Sequence, residues 1–85
     1  MFDLTIMSPQ RVLYKDAVNS AFFEGDECEF ELLSFHAHLI SVLQTGRIII
    51  NGKKLIRIRK GIVKFYENKC MVLVEEADAG KIPAG

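Results

Sequence analysis

The chain has 85 residues, 49% of them hydrophobic and 26% charged, which excludes a disordered polymer and calls for one small folded domain. A domain of this length buries only about 60–65% of the surface its unfolded chain exposes, so no second domain fits. Eleven Lys and Arg balance eleven Asp and Glu, and without a basic excess nucleic acid is not the expected partner.

From the N-terminus, Phe2, Leu4 and Ile6 alternate with Asp3, Thr5 and Met7, the period-two pattern of a half-buried strand, and Ser8-Pro9 breaks it. A second short strand is predicted from Arg11 to Tyr14. Lys15-Asp16 then turns the chain into a third strand from Ala17 to Glu24. Gly25-Asp26 reads as a turn, glycine being free to take positive φ. A short apolar strand from Phe30 to Leu33 and an irregular Ser-Phe-His-Ala stretch lead to Leu39–Leu43. The chain restarts at Gly46 into the β-branched run Ile48–Ile50.

Asn51-Gly52 is the strongest local signal, since this dipeptide favours the type I′ turn of a hairpin. Its partner strand, Leu55–Lys60, places Ile56 and Ile58 on one face and Arg57 and Arg59 on the other. Gly61 separates it from Ile62–Tyr66, Glu67-Asn68 makes another tight turn, and Cys70–Glu75 closes the pattern. Short strands at this spacing, with no amphipathic helix, predict an all-β fold. The expectation is a two-sheet antiparallel β-sandwich of about nine or ten short strands over residues 1–77, with a flexible tail over 78–85. Leu4, Ile6, Val18, Ile48, Ile50, Val63, Val72 and Val74 are expected in its core, and Met, Phe and Ile residues are core by default.

The charges are segregated. Glu24, Asp26, Glu27, Glu29 and Glu31 crowd one stretch, and Arg47, Lys53, Lys54, Arg57, Arg59 and Lys60 another. The plain reading is solvated surface; the alternatives are two patches that face each other or that face separate partners. Cys28 and Cys70 are too few for a disulfide framework and are expected to be free thiols of a cytosolic protein. His36 and His38, two apart with Cys28 nearby, form half of a zinc set. A structural zinc site needs four ligands, and the remaining candidate, Cys70, lies in a predicted buried strand. Catalysis through Cys28 and a histidine lacks a pocket or an oxyanion site. No cofactor, metal or catalytic residue is therefore expected. No apolar run approaches the ~20 residues of a membrane helix, and no signal segment is expected from the alternating Met1–Met7 stretch.

The segment from Gly25 to Leu39, an acidic loop, a short apolar strand and then His36-Ala37-x-Leu39, resembles the signature of the ε subunit of F-type ATP synthases. So do Leu4-Thr5-Ile6-Met7-Ser8-Pro9, Arg11-Val12-Leu13-Tyr14, Ala17-Val18-Asn19-Ser20, Leu43-x-x-Gly46-x-Ile48, Gly61-Ile62-Val63 and Val72–Ala77. Each piece is weak alone; their order and spacing make the match specific. The chain departs from the family where Glu31 replaces a Gly, Ser34-Phe35 replaces Pro-Gly and His38 replaces a Pro. Positions that favour φ > 0 thereby lose a cost-free occupant.

The resemblance implies a β-sandwich that is not an enzyme but a rotor subunit of the central stalk, coupling proton or sodium flow to ATP synthesis. It implies the γ subunit and the c-ring as partners, with Glu27, Glu29, Phe30 and Glu31 toward the c-ring and His36, Ala37, His38 and Leu39 toward γ. The implied location is peripheral, on the cytoplasmic face of the bacterial plasma membrane, with membrane contact only through the c-ring. The family's C-terminal helical hairpin has no counterpart up to Gly85, so inhibition of ATP hydrolysis through that hairpin is not expected. The alternative is a free-standing β-sandwich that acts as a protein-binding adaptor or a zinc-binding module, since fold alone does not give function.

Overall fold

The computed structural model describes residues 1–76; the expected domain boundary at 77 and the tail over 78–85 lie outside the described residues. Seven strands follow in order: β1 (Phe2–Met7), β2 (Val12–Val18), β3 (Ser20–Gly25), β4 (Glu29–Leu33), β5 (Leu39–Ile50), β6 (Lys54–Tyr66) and β7 (Lys69–Glu76). They form one hydrogen-bonded sheet in the order β2-β1-β7-β6-β5-β3-β4. All pairs are antiparallel except β1 with β7, which run parallel. A flat sheet would leave both faces in water. Here sixteen apolar side chains, including all eight expected core residues, sit in one cluster at 0–4% exposure. The sheet therefore curls until its β2-β1-β7 part lies over its β3-β4 part, giving the two layers of a β-sandwich.

Among the described residues the strands number seven, not nine or ten, because Gly46 and Gly61 bend long strands without ending them. β5 and β6 pair in a single register from Leu39↔Phe65 to Ile50↔Lys54. Within each, the buried set changes phase: Leu43 and then Ile48 are buried in β5, Ile58 and then Val63 in β6. An odd spacing between inward residues means the ladder crosses a corner and carries on in the other layer. Thr45 Oγ1 donates to the Arg59 carbonyl at that corner. A Cβ on Gly61 would stand 2.5 Å from the Leu73 carbonyl oxygen and 2.9 Å from Val74 Cγ1. Glycine there permits close approach of β6 and β7 rather than marking a break.

The second and third strands also differ from the expected ranges. Lys15-Asp16 continues β2 without turning, and the chain changes layer at Asn19 instead. That crossing is held by Asn51, whose Oδ1 accepts the amides of Asn19 at 2.7 Å and Ser20 at 3.2 Å. Asn51 and Gly52 take φ of 54° and 69°, and Lys53 N–H donates to Ile50 O at 2.9 Å, so the predicted I′ turn forms. At the other hairpin, Glu67 and Asn68 both take positive φ, 52° and 61°.

Candidate functional site

The expected site residues are ordered along β4: Glu27 precedes it, Glu29, Phe30 and Glu31 lie within it, and His36, Ala37, His38 and Leu39 come after it. Its five residues run from the acidic turn at one end to the 34–38 loop at the other, a span of roughly 15 Å at strand rise. At the acidic end Gly25 N–H donates to Cys28 O at 3.0 Å, and Asp26 N–H donates to Val42 O at 3.0 Å. Gly25 does not use positive φ. Its missing Cβ would instead lie 2.7 Å from Cys28 O and 3.1 Å from the Phe30 ring. Phe30 is half-buried and stacks on buried Phe23 with ring centres 5.4 Å apart, which anchors the turn. Glu27 is exposed in the turn, and Glu29 and Glu31 are exposed on the outward face of β4.

The acidic and basic stretches meet at one point. Glu24 of β3 lies across Gly46 and accepts from Arg47: Nη2 at 2.7 Å, Nε at 3.1 Å and the backbone amide at 3.2 Å. Hydrogen bonding from Arg47 holds the Glu24 carboxyl below its ordinary value, and the same contact raises Arg47. Glu75 stands 3.9 Å from both Arg59 and Lys60. At the end of β7, Glu76 accepts from Arg11 at 2.9 and 3.2 Å and from buried Ser8 at 2.7 Å.

The 34–38 loop is pinned on both sides. The His36 ring meets the edge of buried Phe65, centres 5.9 Å apart, whereas the His38 ring packs on outward-facing Tyr66 at 4.5 Å. His36 Nδ1 lies 2.7 Å from the Ala37 carbonyl oxygen and donates to it in the tautomer protonated at Nδ1. Leu39 is half-buried against the core and Ala37 is exposed. The two histidines thus serve opposite faces, and Cys28 lies beyond the far end of β4. Cys28 is an exposed free thiol; Cys70 is a buried one, pushed up to about 12 by burial. No three His, Cys, Asp or Glu among the described residues gather where they could hold a metal.

A larger feature escaped the sequence reading. In register across five strands, Val12, Met7, Leu73, Ile62 and Val42 form an outward apolar row, about 19 Å long at the spacing of strands. Val12, Leu73, Ile62 and Val42 are 56%, 53%, 41% and 51% exposed. Met71, Lys64 and Ile40 make the next row, and Tyr66 with His38 lies beyond it. A trough of about 610 Å³ runs between Met7, Leu73, Ile62, Met71 and Ile40, with Lys64 and Lys69 at its rim. Ile40 and Val42 also line a groove against Asp26, Glu27 and Cys28, so the apolar face adjoins the acidic turn. The assumption that Met, Phe and Ile are core thus fails at Ile40, Ile62, Met71 and Phe35. The missed signal was apolar residues in both phases of one strand, as in Met71-Val72-Leu73-Val74. Contiguous exposed apolar surface of this kind marks a binding face.

Residues 1–80 match the model of the ATP synthase delta/epsilon chain β-sandwich domain. The ATP synthase epsilon chain of Campylobacter curvus is 37% identical over 78 residues, covering 87% of this chain and 60% of that protein. The epsilon chain of Nitratiruptor is 41% identical over 78 residues, with the same coverage, and that of Sulfurovum is 36% identical over 83 residues, covering 93% and 65%. The chain thus spans about three-fifths of the length of these relatives. The fold is shared with a chain of the Tetrahymena thermophila mitochondrial ATP synthase central stalk and c-ring structure, at TM-score 0.77, 16% identity and coverage of 87% of this chain and 63% of that one. With the β-sandwich model matched along nearly its whole length, the chain belongs to the family of ATP synthase delta and epsilon chains.

Proposed function

We propose that this chain is a non-catalytic subunit of the central stalk of a proton- or sodium-translocating F-type ATP synthase, binding γ and the c-ring and coupling ion flow to ATP synthesis. It would sit peripherally on the cytoplasmic face of the bacterial plasma membrane, reaching the membrane only through the c-ring. The observation that carries the reading is the apolar outward face of β1, β7, β6 and β5 in a chain of this family. It supports a wide, apolar contact with γ, bordered by His36, Ala37, His38 and Leu39. The acidic turn lies at the opposite end of β4; Glu27 in the turn and Glu29 and Glu31 on the outward face of the strand, with Phe30 as anchor, are free to meet the polar loops of the c-ring.

Co-purification with the γ subunit from the same organism tests the γ contact. The wild-type chain is expected to be retained by γ, and the double variant Ile62→Lys/Leu73→Lys to be lost. Both positions are outward, so the variant is expected to keep its β-sheet circular dichroism and cooperative unfolding. A folded double variant that still co-purifies with γ would remove the apolar face from the contact. A wild-type chain that ignores γ would overturn the stalk reading itself.

A further inference from the structure

We propose that Phe35 is an aromatic anchor, held out by a strained loop to enter an apolar pocket on the stalk partner. The inference rests on the γ-binding reading and names a residue for it. Phe35 takes φ 62°, the left-handed region where a bulky side chain is a genuine outlier. It is 82% exposed, more than any other large hydrophobic side chain among the described residues. It therefore bears two costs at once, a strained backbone and an aromatic ring in water, and among the described residues no aromatic contact engages the ring.

The strain is held from outside the loop. Phe35 N–H donates to Asn68 Oδ1 at 2.7 Å, Asn68 Nδ2 donates to Met1 O at 2.9 Å, and Asp3 N–H donates to Asn68 O at 3.3 Å. His36 N–H donates to Leu33 O at 3.3 Å, while the rings of His36 and His38 grip Phe65 and Tyr66. A clasp from the β6–β7 turn and the N-terminus thus fixes the backbone on which Phe35 stands. Strained residues persist where the surroundings over-determine them, and they concentrate at ligand clamps. Aromatic side chains that enter a desolvated pocket carry much of the energy of protein interfaces, and a backbone that is already fixed leaves less freedom to be lost on binding. The partner surface that fits is an apolar pocket wide enough for a phenyl ring, beside the surface that covers Tyr66 and Ile40.

The test separates folding from binding. Phe35→Gly relieves the strain and removes the ring; Phe35→Ala removes the ring and keeps the strain. Thermal unfolding and affinity for purified γ are measured for both variants and the wild type. Phe35→Gly is expected to raise Tm by several degrees and yet to weaken γ binding at least tenfold, with Phe35→Ala weakening it equally at unraised Tm. Wild-type affinity in either folded variant would overturn the inference. A wild-type chain with no affinity for γ would overturn the stalk reading on which it depends, and so the two failures are told apart.

Discussion

Glu24 does three things with one carboxylate: it ties β3 to β5, receives the Arg47 guanidinium and caps the Arg47 amide. Because hydrogen bonding from Arg47 lowers its folded-state value below the ordinary 4.5, the unfolded chain binds the proton more readily. The contribution of Glu24 to stability is thus complete above that ordinary value and is lost as pH falls through the depressed one. Urea unfolding followed from neutral pH into the acid range should show this loss in the wild type, and Glu24→Gln should show a lower plateau with a shallower acid slope. Superimposable profiles would mean that Glu24 does not carry the acid dependence. The two thiols differ as sharply. Cys28 is exposed, whereas Cys70 is 1% exposed and its thiolate is suppressed by burial. An aromatic disulfide reagent should consume one thiol at once and the second only on unfolding; two fast thiols would mean that Cys70 is accessible from solution.

Among the elements, β6 carries the most of the design. Among the described residues, its first part, Lys54–Arg57, pairs with β5 alone, and β7 joins from Ile58 onward. This edge carries Lys54 and Arg57, and the β4 edge carries Glu29 and Glu31; no ion pair engages these four among the described residues. Charge on exposed edges deters pairing with stray strands, and these four side chains are placed to do so. The corner at Gly61 is the element's weak point. Gly61→Ala would set a methyl 2.5 Å from the Leu73 carbonyl oxygen, and overpacking of this kind costs about 1–3 kcal/mol. Chemical denaturation should report that loss with an unchanged slope; a neutral result would mean that β6 and β7 separate at the corner without penalty.

On the scale of the whole molecule, the sandwich offers an apolar face and an acidic turn that adjoin at Ile40 and Val42. A contact through the acidic turn is electrostatic, so it acts on encounter rate and weakens with salt. Reversing Glu27 and Glu29 together to Lys should slow assembly onto a stalk that contains the c-ring and should reduce the salt dependence of that rate. The fold should stay unchanged, since both side chains are exposed. Assembly at the wild-type rate and salt dependence would remove the acidic turn from the interface.

Period-two alternation determined the all-β class and, where apolar and polar residues alternate cleanly as at Leu4 and Ile6, the inward positions as well, because the pleat sends successive side chains to opposite faces. The Asn51-Gly52 turn was equally local, set by the two positive φ angles that the dipeptide tolerates. The order of pieces along the chain was enough for the family. Strand count was not, because a glycine at a corner and a glycine at a break look alike until the neighbouring strand is in place, as Gly61 against Leu73 shows. The apolar row was equally hidden. Val12, Met7, Leu73, Ile62 and Val42 come from five different strands and become one surface only through their register. The clasp that holds Phe35 joins Met1, Asp3, Phe35 and Asn68, a meeting that local propensity does not encode and that only closure of the sandwich decides.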